Sequence, residues 1–319
     1  HNFLNKSKQF NPDKIFLGYP PIETSLVILN WSLKKKIPLM LDVKDNWPIN
    51  FIDPFPKFIK PFVRIVFTPY FIISKGIFKK VNTINSISEE FNEWIKDFSS
   101  NSSSKFNVTP LVREPIKLSK NNLNKSISFW SKRNINILEK KHFSFVGSLT
   151  NSFDFDFILN SATFLNKIDP NYKFVICGTG NQYDSLMKRS MNINNVYVFG
   201  EINKYNAKVL IKNSIATLAP YQNTSNFNKS IPNKVIESLE NGVPFITNLR
   251  GKLEKMVKFH NNGIFIPELN EKGLDNYLQL IRDKTFRKNL VKNAKNSYVE
   301  LFEYNKFYDR LVKEICEMK

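Results

Sequence analysis

Short apolar runs alternate with longer, helically spaced stretches along most of the chain, and this alternation predicts the elements. Residues 14–19 (KIFLGY) read as a strand ending in Pro20-Pro21. A helix over 23–36 follows, with Leu26, Val27, Leu29, Trp31 and Leu33 as its apolar positions, and then a strand over 38–43. Strand, helix and strand joined by short links point to a parallel sheet. Residues 82–87 predict a further strand, Ser88-Glu89-Glu90 a helix start, and 106–111 one more strand. From 143 onward the pattern becomes regular. Strands over 143–147, 172–177, 195–199, 215–219 and 243–247 each lead through a loop into a helix, and 263–266 is a last short strand. Consecutive strand–loop–helix units of this kind predict an α/β fold of two Rossmann-like, doubly wound domains.

The breaks in this pattern set the expected domains. Residues 1–114 form an N-terminal Rossmann-like domain. The Asn-, Ser- and Lys-rich stretch 115–142, with little periodicity, reads as a linker. Residues 143–285 make the C-terminal domain, and 286–319 are C-terminal helices with room to cross back to the first domain. Composition agrees with a globular chain: 42% of the 319 residues are apolar, with 10 Gly and 16 Pro. Two cysteines and three scattered histidines offer no disulfide framework, no metal-type spacing and no Ser-His site, and suggest a reducing, cytoplasmic setting. No segment reads as a secretory leader or a transmembrane helix.

Charge changes the picture in one place. The formal net charge is +19, and residues 1–142 carry 23 basic against 11 acidic side chains. Such a field favours anionic partners. Within 51–80 no acid falls between Pro54 and Ser88, while Lys57, Lys60, Arg64, Lys75, Lys79 and Lys80 sit among Phe, Ile, Val and Tyr. This composition suits either a segment lying in an anionic membrane interface or a helix packed on the sheet with its lysines in water. Nucleic acid is the least favoured partner, because no recognition module is legible.

The stretch with the clearest chemistry is 220–247, PYQNTSNFNKSIPNKVIESLENGVPFIT. It predicts a loop, a helix opening near Ser230 and Pro232, a turn at Asn241-Gly242, and a buried strand. Lys234 falls in the first helical turn and Glu237 one turn on. A helix start facing an open loop presents unpaired N–H groups and a positive dipole end, and so favours phosphate. By itself, the three-residue spacing of Lys234 and Glu237 is better read as a solvated surface pair. Gly178-x-Gly180 lacks the third glycine of a dinucleotide fingerprint, and no phosphate loop of the G-x-x-x-x-G-K-[ST] type is present.

The order of strand-Gly147, strand-Gly178-x-Gly180, strand-Gly200, strand-Pro220 and the block Ser230-Ile231-Pro232-Asn233-Lys234-Val235-Ile236-Glu237 resembles the C-terminal domain of GT-B glycosyltransferases of family 4, in the branch that builds bacterial surface polysaccharides. Upstream, Pro12-Asp13 and Asp42-Val43-Lys44-Asp45-Asn46-Trp47-Pro48 are similar to motifs of that family's N-terminal domain, and imply that this domain lacks its first strands here. The resemblance implies a retaining transfer from a nucleotide-sugar, UDP- or GDP-linked, to a lipid-linked or surface-glycan acceptor. The expected enzyme is of hexosyl or N-acetylhexosaminyl type and works without a cofactor or metal. It would be cytoplasmic, with room for a peripheral contact to the inner face of the membrane through 51–80.

By position in the family, Glu237 would hold the ribose hydroxyls. Ser230, Asn233 and Lys234 would hold the diphosphate, Lys234 stabilising it as it leaves. Gly147 and Ser148 would approach the same phosphates, Gly178, Gly200 and Ile202 would border the base, and Asp45 would lie on the acceptor side. The chain departs from the family at three places: Ser148 and Phe153 stand where relatives carry a cation, and Lys229 where they carry a first glutamate. These departures keep open an alternative, a catalytically impaired GT-B-like protein that binds nucleotide or a protein partner.

Overall fold

The structure is a computed structural model that describes residues 12–100 and 104–318. It divides into two compact units. The first holds the chain up to Pro110 together with Thr224–Ser230 and Asn305–Lys319; the second holds Leu111–Asn223 and Ile231–Tyr304.

In the first unit β1 (Ile15–Tyr19), α1 (Ile22–Lys35) and β2 (Leu39–Val43) form the expected strand–helix–strand. Two helices follow, α2 (Lys60–Val66) and α3 (Thr68–Lys80), then β3 (Thr83–Ser86), α4 (Glu89–Ser99) and β4 (Lys105–Val108). The four strands are parallel in the order β1-β2-β3-β4. Every residue of β2 is buried, as expected of a strand covered on both faces. Ser88 caps α4, its hydroxyl accepting from the Phe91 amide at 3.2 Å. Asn11, which precedes the Pro12-Asp13 motif, lies outside the described residues.

The second unit opens with α5 (Lys120–Ser131), inside the stretch that reads as a linker. It is a packed helix. Trp130 is fully buried, its indole donating to the Asn206 carbonyl at 3.1 Å, and Ile127 packs beside it. Apart from Leu123 and Phe129 the remaining positions are Asn, Ser and Lys, so a few apolar side chains led by Trp130 carry a burial signal that composition hides. The unit continues through β5 (His142–Val146), α6 (Phe155–Ile168), β6 (Lys173–Cys177), α7 (Tyr183–Ser190), β7 (Val196–Phe199), α8 (Lys204–Lys212) and β8 (Ala216–Ala219). After the single turn α9 (Ser225–Asn228), which belongs to the first unit, come α10 (Asn233–Glu240), β9 (Phe245–Thr247), α11 (Lys252–His260) and β10 (Gly263–Phe265). The helices α12 (Glu271–Arg282) and α13 (Lys284–Leu301) complete the unit. Most of α14 (Tyr304–Cys316) groups with the first.

The second sheet is parallel, in the order β10-β9-β8-β5-β6-β7. Numbered from β5, this is the doubly wound 3-2-1-4-5-6 order, and the direction of winding reverses between β5 and β8. Its core joins Phe143, Phe145, Phe174 and Ile176 to Ile158, Leu165, Leu218 and Ile246. Asp154 caps α6 by accepting from the Phe157 amide at 3.0 Å, and Asn203 caps α8 by accepting from Tyr205 and Asn206.

His142 opens β5 fully buried, with Nε2 3.0 Å from the Leu210 carbonyl oxygen. Burial pushes its pKa down to about 4. The unfolded chain takes up the same proton near pH 6.5, so stability is complete above that value and falls as pH drops from there through 4. This residue alone is expected to remove about 3 kcal/mol between pH 7 and pH 4. Urea unfolding of the wild type and His142→Asn at both pH values checks it. Equal pH slopes in the two proteins would exclude the assignment.

Candidate functional site

In an open parallel sheet, ligands bind beyond the carboxyl ends of the strands where the winding reverses. Here that place lies beyond β5 and β8. The chain leaves β5 at Gly147 and β8 at Pro220, and the two exits are tied together. The Asp154 amide donates to the Pro220 carbonyl at 2.7 Å, the Gln222 amide to the Ser152 carbonyl at 2.9 Å, and Phe153 bridges to Tyr221.

Gly147 has φ of +140°, where an L side chain is strained, and a Cβ there would fall on the Lys234 ammonium. The missing side chain is what admits Lys234. Its Nζ donates to the Val146 carbonyl and lies 4.4 Å from the centre of the Phe145 ring and 5.0 Å from that of Phe153. Burial in this pocket pushes the Lys234 pKa down to about 8, against a smaller upward pull from Glu237. Phe153 stands where the resembling family often carries a cation. It presents a ring to the ammonium instead of a like charge.

Gly178 is constrained in the same way. With φ of +148°, its added Cβ would strike the Gly147 carbonyl. Its amide donates to the carbonyls of Phe199 and Gly200 at 3.1 Å, and the Gly147 amide donates to Cys177 at 2.9 Å. Gly147, Gly178 and Gly200 therefore lie side by side along one edge of the sheet. Ser148 is exposed beside them, and Ile202 is half-buried against the Trp130 cluster.

The helix α10 has Pro232 as its N-cap and no side-chain cap. The amides of Asn233 and Lys234 donate to no group among the described residues, which leaves them open to an anion. Ser230, expected at the helix start, has a different role. Its amide donates to Phe227 at 3.2 Å and its hydroxyl to the Asn226 carbonyl at 3.3 Å, so both groups are satisfied within the 224–230 segment of the first unit.

Glu237 does not pair with Lys234 in a solvated contact. Its carboxylate, with a side chain 16% exposed, forms an ion pair with Arg113. Arg113 also approaches Glu240 at 3.9 Å, and Lys208 holds Glu240 at 2.6 Å. Reading the sequence missed Arg113. It stands in an irregular segment more than a hundred positions from its partner, and no local spacing announces the pair.

Asp45, the expected acceptor-side residue, lies in the first unit and accepts from the Asn226 side-chain Nδ2 at 3.4 Å. In the same motif Asp42 is buried, paired with Lys44 at 3.0 Å and accepting from Asn85 at 2.8 Å, so it serves the fold. Lys229, where relatives carry a glutamate, lies half-buried with Nζ 5.9 Å from the Trp94 ring centre, and its carbonyl accepts from the Ser88 hydroxyl at 2.6 Å. Burial lowers its pKa, against Asp53 and Asp97.

Residues 127–297, more than half of the chain, match the family model described as glycosyl transferases group 1. The chain belongs to this family. Among solved structures, the UDP complex of HepE from Anabaena aligns with a TM-score of 0.73 over 99% of this chain and 81% of HepE, at 11% identity. Sucrose-phosphate synthase from Thermosynechococcus elongatus aligns at 0.70 over 98% of this chain and 75% of the synthase, at 12% identity. WaaG, a glycosyltransferase involved in lipopolysaccharide biosynthesis, aligns at 0.67 over 91% of this chain and 81% of WaaG, at 13% identity. These likenesses establish the two-domain GT-B fold for this group 1 transferase. No curated protein matches it by sequence.

The desolvated position of the Lys234 ammonium, on a partly buried side chain, has a direct check. After reductive methylation with labelled formaldehyde, one dimethyl-lysine carbon resonance should titrate near pH 8, more than two units below the bulk of the lysines, and should vanish in Lys234→Met. Titration of every resonance above pH 10 would refute the burial.

Proposed function

We propose that this chain is a retaining glycosyltransferase of family 4, of hexosyl or N-acetylhexosaminyl type, which moves a sugar from a nucleoside-diphosphate donor to a lipid-linked or surface-glycan acceptor. The observation that carries the proposal is the Lys234 ammonium beside Gly147 at the open start of α10. The bond from the sugar's anomeric carbon to the terminal phosphate oxygen breaks, the acceptor hydroxyl oxygen takes that carbon and gives up its proton to solvent, and the diphosphate leaves with added charge. Lys234 and the amides of Asn233 and Lys234 would meet that charge. The Arg113-held Glu237 would accept from the ribose hydroxyls. UDP is favoured over GDP as the leaving nucleotide, because HepE and the pneumococcal O-GlcNAc transferase GtfA are each described in complex with UDP.

The acceptor clause rests on the first unit. Phe58, Phe62, Ile65, Val66 and Ile72 are each at least 67% exposed on and before α2 and α3. Lys57, Arg64, Lys75, Lys79 and Lys80 are exposed among them. No single helix among the described residues is long and apolar enough to cross a membrane. The pair α2 and α3 reaches that length and composition together, but bends by 66° at the break. Large apolar side chains rimmed by cations suit the headgroup region of an anionic cytoplasmic leaflet, where a lipid-linked acceptor would be met. Lys229 favours a second reading, a protein that binds nucleotide without transferring sugar.

Calorimetry with UDP and GDP tests the donor site. Because binding of diphosphate favours the protonated lysine, affinity should fall about tenfold from pH 7 to pH 9, as the ammonium is lost above about 8. Lys234→Met should weaken binding and abolish this dependence; Glu237→Ala should weaken it by about tenfold. Binding of neither nucleotide would refute the site. Nucleotide binding without sugar consumption, across polyprenyl-linked and glycan acceptors, would support the second reading. In flotation with phosphatidylglycerol vesicles, the wild type should rise with the lipid. Combined Phe62→Ser, Ile65→Ser and Ile72→Ser should cut the bound fraction by about fivefold or more. An unbound wild type at moderate salt would remove the membrane clause.

A further inference from the structure

The second unit has a cavity of about 660 Å³ away from the Gly147 edge. Its floor is made of residues that stand just before strands begin: Lys141 before β5, Tyr172 before β6, Ile215 before β8 and Val243 ahead of β9. In a parallel sheet all strand starts share one edge, so this cavity opens at the edge opposite the one where Gly147, Gly178 and Gly200 lie.

Its lining is strongly and one-sidedly charged. Lys140 and Lys141 enter from the approach to β5, and Lys212 from the end of α8. Along α13, Lys284, Arg287, Lys288 and Lys295 recur at three- to four-residue and longer helical steps and so share one face. The single carboxylate in the lining, Glu139, already accepts from the Asn136 side chain at 2.7 Å. None of these seven cations forms an ion pair among the described residues. Nearby Lys208, by contrast, is matched by Glu240. Like charges gathered around a concavity repel one another, and an anion with several charges would relieve them all at once.

The shape selects the kind of anion. A cavity of this volume lies in the range of small-molecule sites, and the cations surround it from three separate segments. A stripe along an open groove would be expected for nucleic acid. We propose that this cavity binds a compact oligophosphate, separately from the nucleotide-sugar site. The source of the phosphates is either a free inorganic chain or a nucleoside triphosphate. The binding chemistry is the same for both: phosphate oxygens accepting from Lys ammonium groups and from the Arg287 guanidinium.

The experiment is calorimetry on the whole chain with inorganic tripolyphosphate and with ATP, in the presence of saturating UDP. Both ligands should bind while UDP is present. Affinity should fall at least about tenfold in the combined Lys284→Ser, Arg287→Ser, Lys288→Ser variant, and be unchanged in Lys234→Met. Lys140→Ser with Lys141→Ser, on the other wall, should weaken binding independently and guards against a folding defect in the helix variant. Tighter binding of ATP would assign the site to a nucleotide, and equal binding to the phosphate chain alone. The proposal is overturned if UDP or Lys234→Met removes binding, if both wall variants bind as the wild type does, or if neither ligand binds. It is also overturned if an RNA or DNA oligonucleotide displaces tripolyphosphate at lower concentration than ATP does.

Discussion

The absence of a side chain at Gly147 governs the geometry of the site. The strand β5 delivers its backbone to the point where the sheet reverses its winding, and the bare Cα of Gly147 leaves the space that the Lys234 ammonium occupies. Gly178 repeats the constraint one strand over, where its own bare Cα lets the Gly147 carbonyl approach. Two adjacent strand exits are thereby brought closer than side chains would allow. The ammonium lies in the gap, between a carbonyl dipole and two phenyl faces, and it gives up part of its hydration to be there. A cation so placed is only weakly screened by solvent.

The helix α10 organises charge along its length. Its first turn has open amides and the buried lysine, both suited to an anion. One turn later Glu237 is held by Arg113, and at the end Glu240 is held between Arg113 and Lys208. These pairs fix the carboxylates without a cation from the helix itself. Lys234 is thus left uncommitted to Glu237. The turn Asn241-Gly242 that ends the helix lines the cationic cavity at the opposite sheet edge, so a single short helix spans both places.

The surface of the first unit shows how a basic composition acquires meaning. Lysines are abundant throughout, and abundance alone says little about a partner. On α2 and α3 they coincide with large apolar side chains turned out to solvent, a hydration cost that burial in an interface would remove. The seven cations around the cavity of the second unit coincide with concavity and with a near absence of carboxylates. In both places it is the coincidence that singles the charge out.

Much of the fold was legible in the sequence. Short strand-like runs separated from amphipathic helices by loops with Gly, Ser or Asn mark the strands, so β1 to β3 and β5 to β8 fall within a residue or two of expectation. The placement of Lys234 in the first turn of a helix that ends at Asn241-Gly242 was also local information. The helix α5 was hidden, because Trp130, with Ile127 and Phe129, packs it against distant α8 while most of its own sequence is polar. Ser230 was misread for a related reason: its partners lie in the preceding turn, and Pro232 takes the cap. Sequence by itself determined the order of the elements and the place of Lys234 in the first turn of α10, since both follow from patterns a few residues long. Only the tertiary structure decided that Lys234 is buried against Gly147, that Glu237 belongs to Arg113, and that scattered lysines converge on one cavity. Those contacts join residues far apart in the chain, and no local spacing encodes them.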